Sequence, residues 1–148
     1  MLKAVNKFQM TMPSYSANEF FARAAVAAFI TQLDPTLEEL GDIKTAVSEA
    51  VTNCIVHAYA DCIGKIIVTA EIFEDHSVKI RIRDNGCGIA DVPQAMQPMF
   101  TTVGGERAGL GFAVMQSFSD SVKVHSRPGK GTTVTLWKKL SLRVGGNG

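Results

Sequence analysis

Residues 48–58 read SEAVTNCIVHA, and this stretch decides how the rest of the chain is interpreted. At about 3.6 residues per turn, Glu49, Asn53 and His57 fall on one side of a helix. The opposite side is apolar and is expected to face a core; it comprises Ile43, Val47, Ala50, Val51, Cys54 and Ala58. A polar row of this kind is most often a solvated helix face. It becomes a candidate site because glycine-rich segments follow it in order along the chain.

The composition is that of a soluble protein. A length of 148 residues suits one domain with one core, and we expect a disordered tail at about 142–148. The net charge of +1 gives no reason to expect direct nucleic-acid binding. Three cysteines without a C-x-x-C pair argue against a disulfide framework or a zinc site. No segment is apolar enough for a signal peptide or a membrane span, so we expect a cytoplasmic location and no membrane contact.

Alternating apolar and polar residues predict five strands. They lie at residues 7–12, 65–73, 77–83, 121–127 and 132–138. Basic residues occupy one side of the strand at 77–83, so we expect a sheet with one wet face and helices on the other. The predicted fold class is a two-layer α/β (α+β) sandwich with a mixed, mostly antiparallel sheet. The strand at 7–12 stops at Pro13 and is expected at a sheet edge, a weak indication of dimerisation.

Helices are predicted from apolar periodicity and capping residues. The first is capped by Ser16 or Asn18, and its expected apolar stripe comprises Phe20, Phe21, Ala24, Ala25, Ala28, Phe29 and Leu33. The second opens at Asp34-Pro35, and Gly41 allows a break before the main helix at 43–60. Short helices are expected at 91–97 and 109–118. Arg23 interrupts the first stripe, either as a surface arginine whose stem covers the core edge or as a contact for a partner.

The segment Asp84-x-Gly86-x-Gly88 follows a strand directly. A carboxylate at this place can accept the exocyclic amine of adenine, and the glycines allow the base to approach the backbone closely. The same pattern also describes a simple tight turn. Cys87 between the glycines is interpreted as a small filler, since no basic neighbour is evident to lower the pKa of its thiol.

Residues 100–107 have no sustained period and contain two adjacent glycines, which is typical of a mobile lid; the alternative is a flexible surface loop. Gly109-Leu110-Gly111 opens a helix, whose free amides suit phosphate oxygens. Arg107 is placed to neutralise a terminal phosphate. Neither glycine cluster completes a Walker loop or a G-x-G-x-x-G motif.

Two residues of the main helix suit the chemistry of a triphosphate. Mg²⁺ prefers oxygen ligands and retains several waters, so the amide of Asn53 together with phosphate oxygens is sufficient to bind it. Glu49, one turn earlier, is then placed to act as a general base. His57 is more simply interpreted as a packing or hydrogen-bonding residue.

These segments resemble the GHKL ATP-binding superfamily. Glu49-x-x-x-Asn53, Asp84-x-Gly86-x-Gly88, Gly109-x-Gly111 and Gly131-Thr132 look like its N, G1, G2 and terminal threonine boxes, over nearly the whole chain. Within the superfamily, the chain is most similar to the anti-sigma-factor serine kinases. That similarity is carried by Ala22-Arg23, residues 33–36, 47–53 and 97–102, and 130–133.

The resemblance implies an ATP- and Mg²⁺-dependent protein serine kinase. Glu49 would be the base, Asn53 the metal ligand, Asp84 the adenine acceptor and Thr132 its neighbour. The lid would contribute phosphate contacts from Thr101, Thr102, Arg107, Gly109, Leu110 and Gly111. The implied partners are a sporulation sigma factor, which the protein would inhibit through Arg23 among other residues, an anti-anti-sigma factor as the serine substrate, and a second copy in a homodimer.

Three alternatives remain at this point. The first is a nucleotide-regulated module that binds a sigma factor without turnover, for which Glu49 would not be needed. The second is a histidine-kinase catalytic domain, which requires an attached phospho-acceptor helix pair. The third is a plain GHKL ATPase, which usually works with transducer domains.

Overall fold

The computed structural model describes residues 2–86, 113–116 and 118–141. Its strands are β1 (Ala4–Pro13), β2 (Lys65–Phe73), β3 (Ser77–Asp84), β4 (Ser121–Arg127) and β5 (Gly131–Lys139). Its helices are α1 (Ala17–Ile30), continued by a 3₁₀ turn at Thr31–Leu33, and α2 (Leu37–Asn53), continued by a π-helical turn at Cys54–Ala58. The helix expected at 91–97 lies outside the described residues. Of the helix expected at 109–118, residues 113–116 and 118 are described and are helical.

The five described strands form one sheet in the order β1-β2-β3-β5-β4. Every pairing between them is antiparallel. The predicted α/β sandwich is therefore confirmed, with an antiparallel sheet where a mixed one was expected. β1 lies at a sheet edge, as predicted. The register sets Asp84 at the end of β3 directly opposite Thr132 near the start of β5.

The helices and the inner face of the sheet enclose a single hydrophobic core. Along β3, residues 78, 80 and 82 are buried while the basic residues between them are more exposed, which confirms the wet outer face. Along α2, Ile43, Val47 and Val51 are buried with Ala46 and Ala50. This burial follows from the apolar period of the sequence and fixes which side of α2 faces outward.

The predicted apolar stripe of α1 is wrong for most of its residues, although Leu33 is buried and Phe29 packs against the core. Phe20 and Phe21 are 64% and 56% exposed, whereas Ala22, Val26 and Ile30 are completely buried. Apolar residues occur all around this helix, so its periodicity does not select a face; packing against α2 and the sheet does. Neither expected cap forms: Ser16 makes no side-chain capping bond. Asn18 instead donates to the carbonyl of Pro13 at 2.9 Å.

The start of α2 also differs from the prediction. Thr36, not Asp34, caps the helix: its hydroxyl accepts from the Glu39 amide at 3.0 Å, and Glu39 Oε1 accepts from the Thr36 amide at 2.9 Å. This reciprocal capping box satisfies two backbone donors. The second Glu39 oxygen accepts from the Ser141 amide at 2.7 Å. The helix runs through Gly41 without a break, because the tertiary packing of α2 offsets a glycine cost of about 1 kcal/mol.

Candidate functional site

The outward side of α2 carries the predicted polar row. Glu49, Asn53 and His57 are all half-buried, so they do not form a fully solvated helix face. Both polar atoms of the Asn53 side chain are buried and have no hydrogen-bond partner in the part of the chain that the structure describes. A buried amide without a partner costs about 1–3 kcal/mol. Asn53 therefore has the properties of a residue that is completed by a ligand.

The helix changes pitch immediately after Asn53. The amide of Tyr59 donates to the carbonyl of Cys54 at 3.0 Å, an i to i−5 bond that closes the π-helical turn. Such turns occur frequently at functional sites. The wider turn brings Cys54 against Asp84 and Ala58 against Gly86, so the end of the helix contacts the D-x-G segment twice.

Asp84 is the best-anchored side chain of the site and is only 5% exposed. Its Oδ1 accepts from the backbone amides of Gly86 at 2.9 Å and Thr132 at 3.2 Å. Its Oδ2 lies 3.5 Å from the sulfur of Cys54, which donates to it. Burial raises the pKa of Asp84, and the hydrogen bonds from Gly86, Cys54 and Thr132 only partly offset this. The arrangement holds a buried carboxylate acceptor in one fixed orientation.

Cys54 is the donor in its contact with Asp84. Burial and then the negative charge of Asp84 raise the pKa of the thiol well above its usual range, so the thiol keeps its proton. The residue is 4% exposed. The sequence analysis assigns Cys54 only to the apolar side of the helix and does not predict its contact with Asp84.

Gly86 is required for the close approach of the D-x-G segment to the helix. A Cβ added at Gly86 would lie 2.6 Å from the Cβ of Ala58 and would also collide with the Ala58 carbonyl. The adjacent amide of Asn85 donates to the Tyr59 hydroxyl at 2.6 Å. That hydroxyl donates in turn to the carbonyl of Lys65 at 2.7 Å. Tyr59 thus joins the helix end, β2 and the D-x-G segment.

Tyr59 was not predicted as a site residue. The available signal was an aromatic side chain with a polar tip at the end of the main helix, a combination that usually finds a hydrogen-bond partner when buried. Its ring packs tightly on Gly64, where any Cβ would collide with it.

The start of β5 completes the described part of the site. Thr132 is buried, and its hydroxyl shares a 2.7 Å hydrogen bond with Ser126 on β4. Gly131 has φ +101°, and an added Cβ there would collide with the Asp84 carbonyl. A residue other than glycine would therefore be strained and would separate β5 from Asp84. The structure thus joins Gly86 and Thr132 to Asp84 through hydrogen bonds, and Cys54, the residue after Asn53, joins the helix to the same carboxylate.

The remaining predicted residues fall into two groups. Arg23 lies on α1, where its Nε is 3.4 Å from Glu19 Oε2 and its guanidinium lies 5.2 Å from the centre of the Phe20 ring. The other residues predicted to bind adenine or the phosphates lie outside the described residues. They are Gly88, Thr101, Thr102, Arg107, Gly109, Leu110 and Gly111.

The described residues contain neither a membrane-spanning helix nor a metal-binding cluster. Their helices are too short or too polar to span a membrane. Their His, Cys, Asp and Glu side chains form no cluster of three or more that could hold a metal ion.

Comparison with known proteins places this chain in a family. Residues 16–138 match the model of the histidine kinase-like ATPase domain. The anti-sigma F factor of Caldanaerobacter subterraneus subsp. tengcongensis is 57% identical over 136 residues, which cover 91% of this chain and 94% of that protein. The chain belongs to the anti-sigma F factor family. The anti-sigma F factor of Bacillus subtilis is 50% identical over 138 residues, covering 92% of this chain and 94% of that protein.

Solved structures show the same fold as this anti-sigma F family member. The RsbU and RsbW domains of a Mycobacterium tuberculosis protein superimpose with a TM-score of 0.69 at 22% identity, covering 93% of this chain and 33% of that one. The histidine kinase domain of an Erythrobacter litoralis blue-light activated kinase gives a TM-score of 0.56 at 19% identity, covering 87% of this chain and 62% of that one. The match to the histidine kinase-like ATPase domain, together with the anti-sigma F relatives, confirms the resemblance to the GHKL superfamily. A histidine kinase-like ATPase domain implies that the chain binds ATP.

Proposed function

We propose that this protein is an anti-sigma factor and an ATP-dependent serine kinase, which binds and inhibits a sporulation sigma factor and phosphorylates an anti-anti-sigma factor. The observation that carries the proposal is the pair formed by Asn53 and Glu49. Asn53 has a buried amide without a partner among the described residues, and Glu49 lies one turn before it on the same half-buried face. A protein that only bound a partner would not need an acid at that position.

Recognition of ATP would begin at Asp84. Its buried, fixed carboxylate suits the exocyclic amine of adenine. Gly86 and Gly88 are assigned to the close approach of the base to the backbone. Thr132, which donates its amide to Asp84, would lie beside the base. The phosphates are assigned to the lid and the following helix start, through Thr101, Thr102, Arg107, Gly109, Leu110 and Gly111.

The amide oxygen of Asn53 fits Mg²⁺, because it is a hard oxygen ligand whose hydrogen-bonding capacity is unused among the described residues. When bound, the ion would neutralise phosphate charge during phosphoryl transfer. The same helix face would hold the acceptor serine. Glu49 would take the proton of the serine hydroxyl while the serine oxygen attacks the γ-phosphorus. The bond between the γ-phosphorus and the oxygen that bridges it to the β-phosphate would break, and the products would be ADP and phosphoserine.

Partner binding is assigned to α1. Arg23 lies beside Glu19 and the exposed Phe20 ring, and Phe21 is exposed on the same helix. This mixture of charged and aromatic groups is typical of protein interfaces. The names of the relatives support a sigma factor as one partner. We also propose a single cytoplasmic domain that forms a homodimer, since β1 leaves one edge of the sheet unpaired in the described chain.

The decisive experiment mixes the protein with Mg-ATP and a candidate anti-anti-sigma protein, followed by mass spectrometry. Phosphoserine on the added protein is the expected result. Glu49→Ala should abolish that transfer while leaving ATP and partner affinity intact. Transfer that survives Glu49→Ala would contradict the assigned base. Free phosphate without a modified protein would favour the ATPase alternative.

A further inference from the structure

In the contact between Cys54 and Asp84, the thiol is the donor and one of the two carboxylate oxygens, Oδ2, is the acceptor. The two oxygens of Asp84 have different environments: Oδ1 accepts from two backbone amides, at 2.9 and 3.2 Å, and Oδ2 accepts from the Cys54 thiol at 3.5 Å. Both amides lie on the loop and strand side, and the thiol comes from the helix. The carboxylate is therefore held from both sides, and its remaining acceptor capacity lies mainly on Oδ2.

We propose that Cys54 is a positioning residue for adenine recognition: its thiol holds Oδ2 of Asp84 in the orientation in which that oxygen accepts the 6-amino group of the base. The inference rests on the proposed ATP-binding role of Asp84 and deepens it. Cys54 does not itself need to touch the nucleotide. It acts through Asp84, and its effect is on the choice of base.

The chemistry of a thiol suits this role. A thiol is a weak donor and lies farther from its acceptor than a hydroxyl, whose usual distance is about 2.7–2.8 Å. It therefore fixes the plane of the carboxylate while leaving Oδ2 a strong acceptor for a second donor. A 6-amino group provides that donor, whereas the 6-oxo group of hypoxanthine would face a carboxylate as a second acceptor.

The place of Cys54 in the chain adds a geometric consequence. It is the residue after Asn53 and the first residue of the π-helical turn. A single peptide unit therefore joins the proposed metal ligand to the residue that orients the adenine acceptor. The spacing between the base and the phosphates would be set partly by this short connection.

The test compares affinities for Mg-ATP and Mg-ITP, measured by isothermal titration calorimetry on the full chain. Cys54→Ala removes the donor, and Cys54→Val removes it while filling more of the space. Cys54→Ser retains a donor. Cys62→Ala is the matched control, because Cys62 is an exposed free cysteine. Thermal unfolding of each variant checks that it is folded.

We expect Cys54→Ala and Cys54→Val to lower the preference for ATP over ITP by about 3- to 10-fold, the effect of about one hydrogen bond. Cys54→Ser should keep most of the preference, and Cys62→Ala all of it. If Cys54→Ala does not fold, Cys54→Val and Cys54→Ser still decide the question.

An equal loss of affinity for both nucleotides in the Ala and Val variants would assign Cys54 to packing alone and would overturn the inference. Unchanged affinities for both nucleotides in those variants would also overturn it, while leaving the proposed ATP site intact. A wild-type protein that binds neither nucleotide would instead refute the ATP site itself. The two failures are therefore distinguishable.

Discussion

Asp84 and Thr132 stand opposite each other in adjacent strands, and the Thr132 amide donates to Asp84 Oδ1 at 3.2 Å. The pairing turns a carboxylate at the end of β3 into a fixed acceptor, because β5 supplies a donor from a rigid strand. A second amide, from Gly86, bonds the same oxygen at 2.9 Å. The acceptor that would read the base is thus held by donors from β5, from the segment after β3 and from the helix residue Cys54.

Asp84→Asn tests this acceptor. The amide oxygen should take the place of Oδ1, since two backbone donors require an acceptor there. The amide nitrogen then faces the adenine amine donor to donor, so we expect ATP affinity to fall at least about 10-fold, more than one lost hydrogen bond costs. ITP should be affected less, because its 6-oxo group can accept. Calorimetric titration measures both, and an unchanged ATP affinity would rule out Asp84 as the adenine acceptor.

Asn53→Ala tests the metal ligand. Wild-type protein with Mg-ATP at 100 times its dissociation constant should be stabilised by about 2.7 kcal/mol. We expect the variant to lose most of this thermal shift and to show no difference between Mg-ATP and ATP with EDTA. Without nucleotide, the variant should be at least as stable as the wild type, because it removes a buried amide that has no partner among the described residues. A full Mg-ATP shift in the variant would contradict the assignment.

The sequence predicted α2 well and α1 poorly, for one physical reason. In α2 the polar residues Glu49 and Asn53 alternate with a separate apolar side, so only one face can be buried. In α1, Phe20 and Val26 lie on different sides of a helix that is apolar all round, and tertiary packing decides between them. The sequence could not show the Cys54 and Tyr59 contacts, since the π-helical turn shifts residues after Asn53 away from the 3.6-residue period.

Glu39 should make stability depend on pH. Burial alone would raise the pKa of its carboxyl, but hydrogen bonds from Thr36 and Ser141 outweigh burial and lower it. A carboxylate with a lowered folded pKa stabilises the protein above its unfolded pKa, and this contribution is lost as pH falls through the folded pKa. Glu39→Gln should therefore destabilise the protein at pH 7 by about 0.5–1.5 kcal/mol, because a neutral amide accepts the hydrogen bonds from Thr36 and Ser141 less strongly than the carboxylate does. Below the folded pKa, the difference from wild type should largely vanish.

Urea unfolding at a series of pH values measures this difference. Glu38→Gln is the control, because Glu38 lies exposed in the same first turn of α2. It should show a smaller effect at pH 7. If the loss of unfolding free energy in Glu39→Gln grew as the pH was lowered, the assignment of a lowered pKa to Glu39 would be contradicted.

Two glycines should respond in opposite directions to the same substitution. Gly41 is an exposed residue inside α2, and an added Cβ would meet nothing within 4 Å. Gly41→Ala should therefore stabilise the protein by about 1 kcal/mol, the difference in helix propensity. At Gly86, the new Cβ would collide with the backbone carbonyl and the Cβ of Ala58. Gly86→Ala should destabilise the protein by about 1–3 kcal/mol, as overpacking does.

Urea unfolding gives both free energies, and calorimetric titration adds a second distinction. Gly86→Ala must move the D-x-G segment away from the helix end, so it should also weaken ATP binding, whereas Gly41→Ala should leave ATP affinity unchanged. Stabilisation by both substitutions would show that Gly86 does not pack against Ala58. Destabilisation by Gly86→Ala with full ATP affinity would show that this contact supports the fold without positioning the base, because Asp84 would then keep its orientation when the segment after it is displaced.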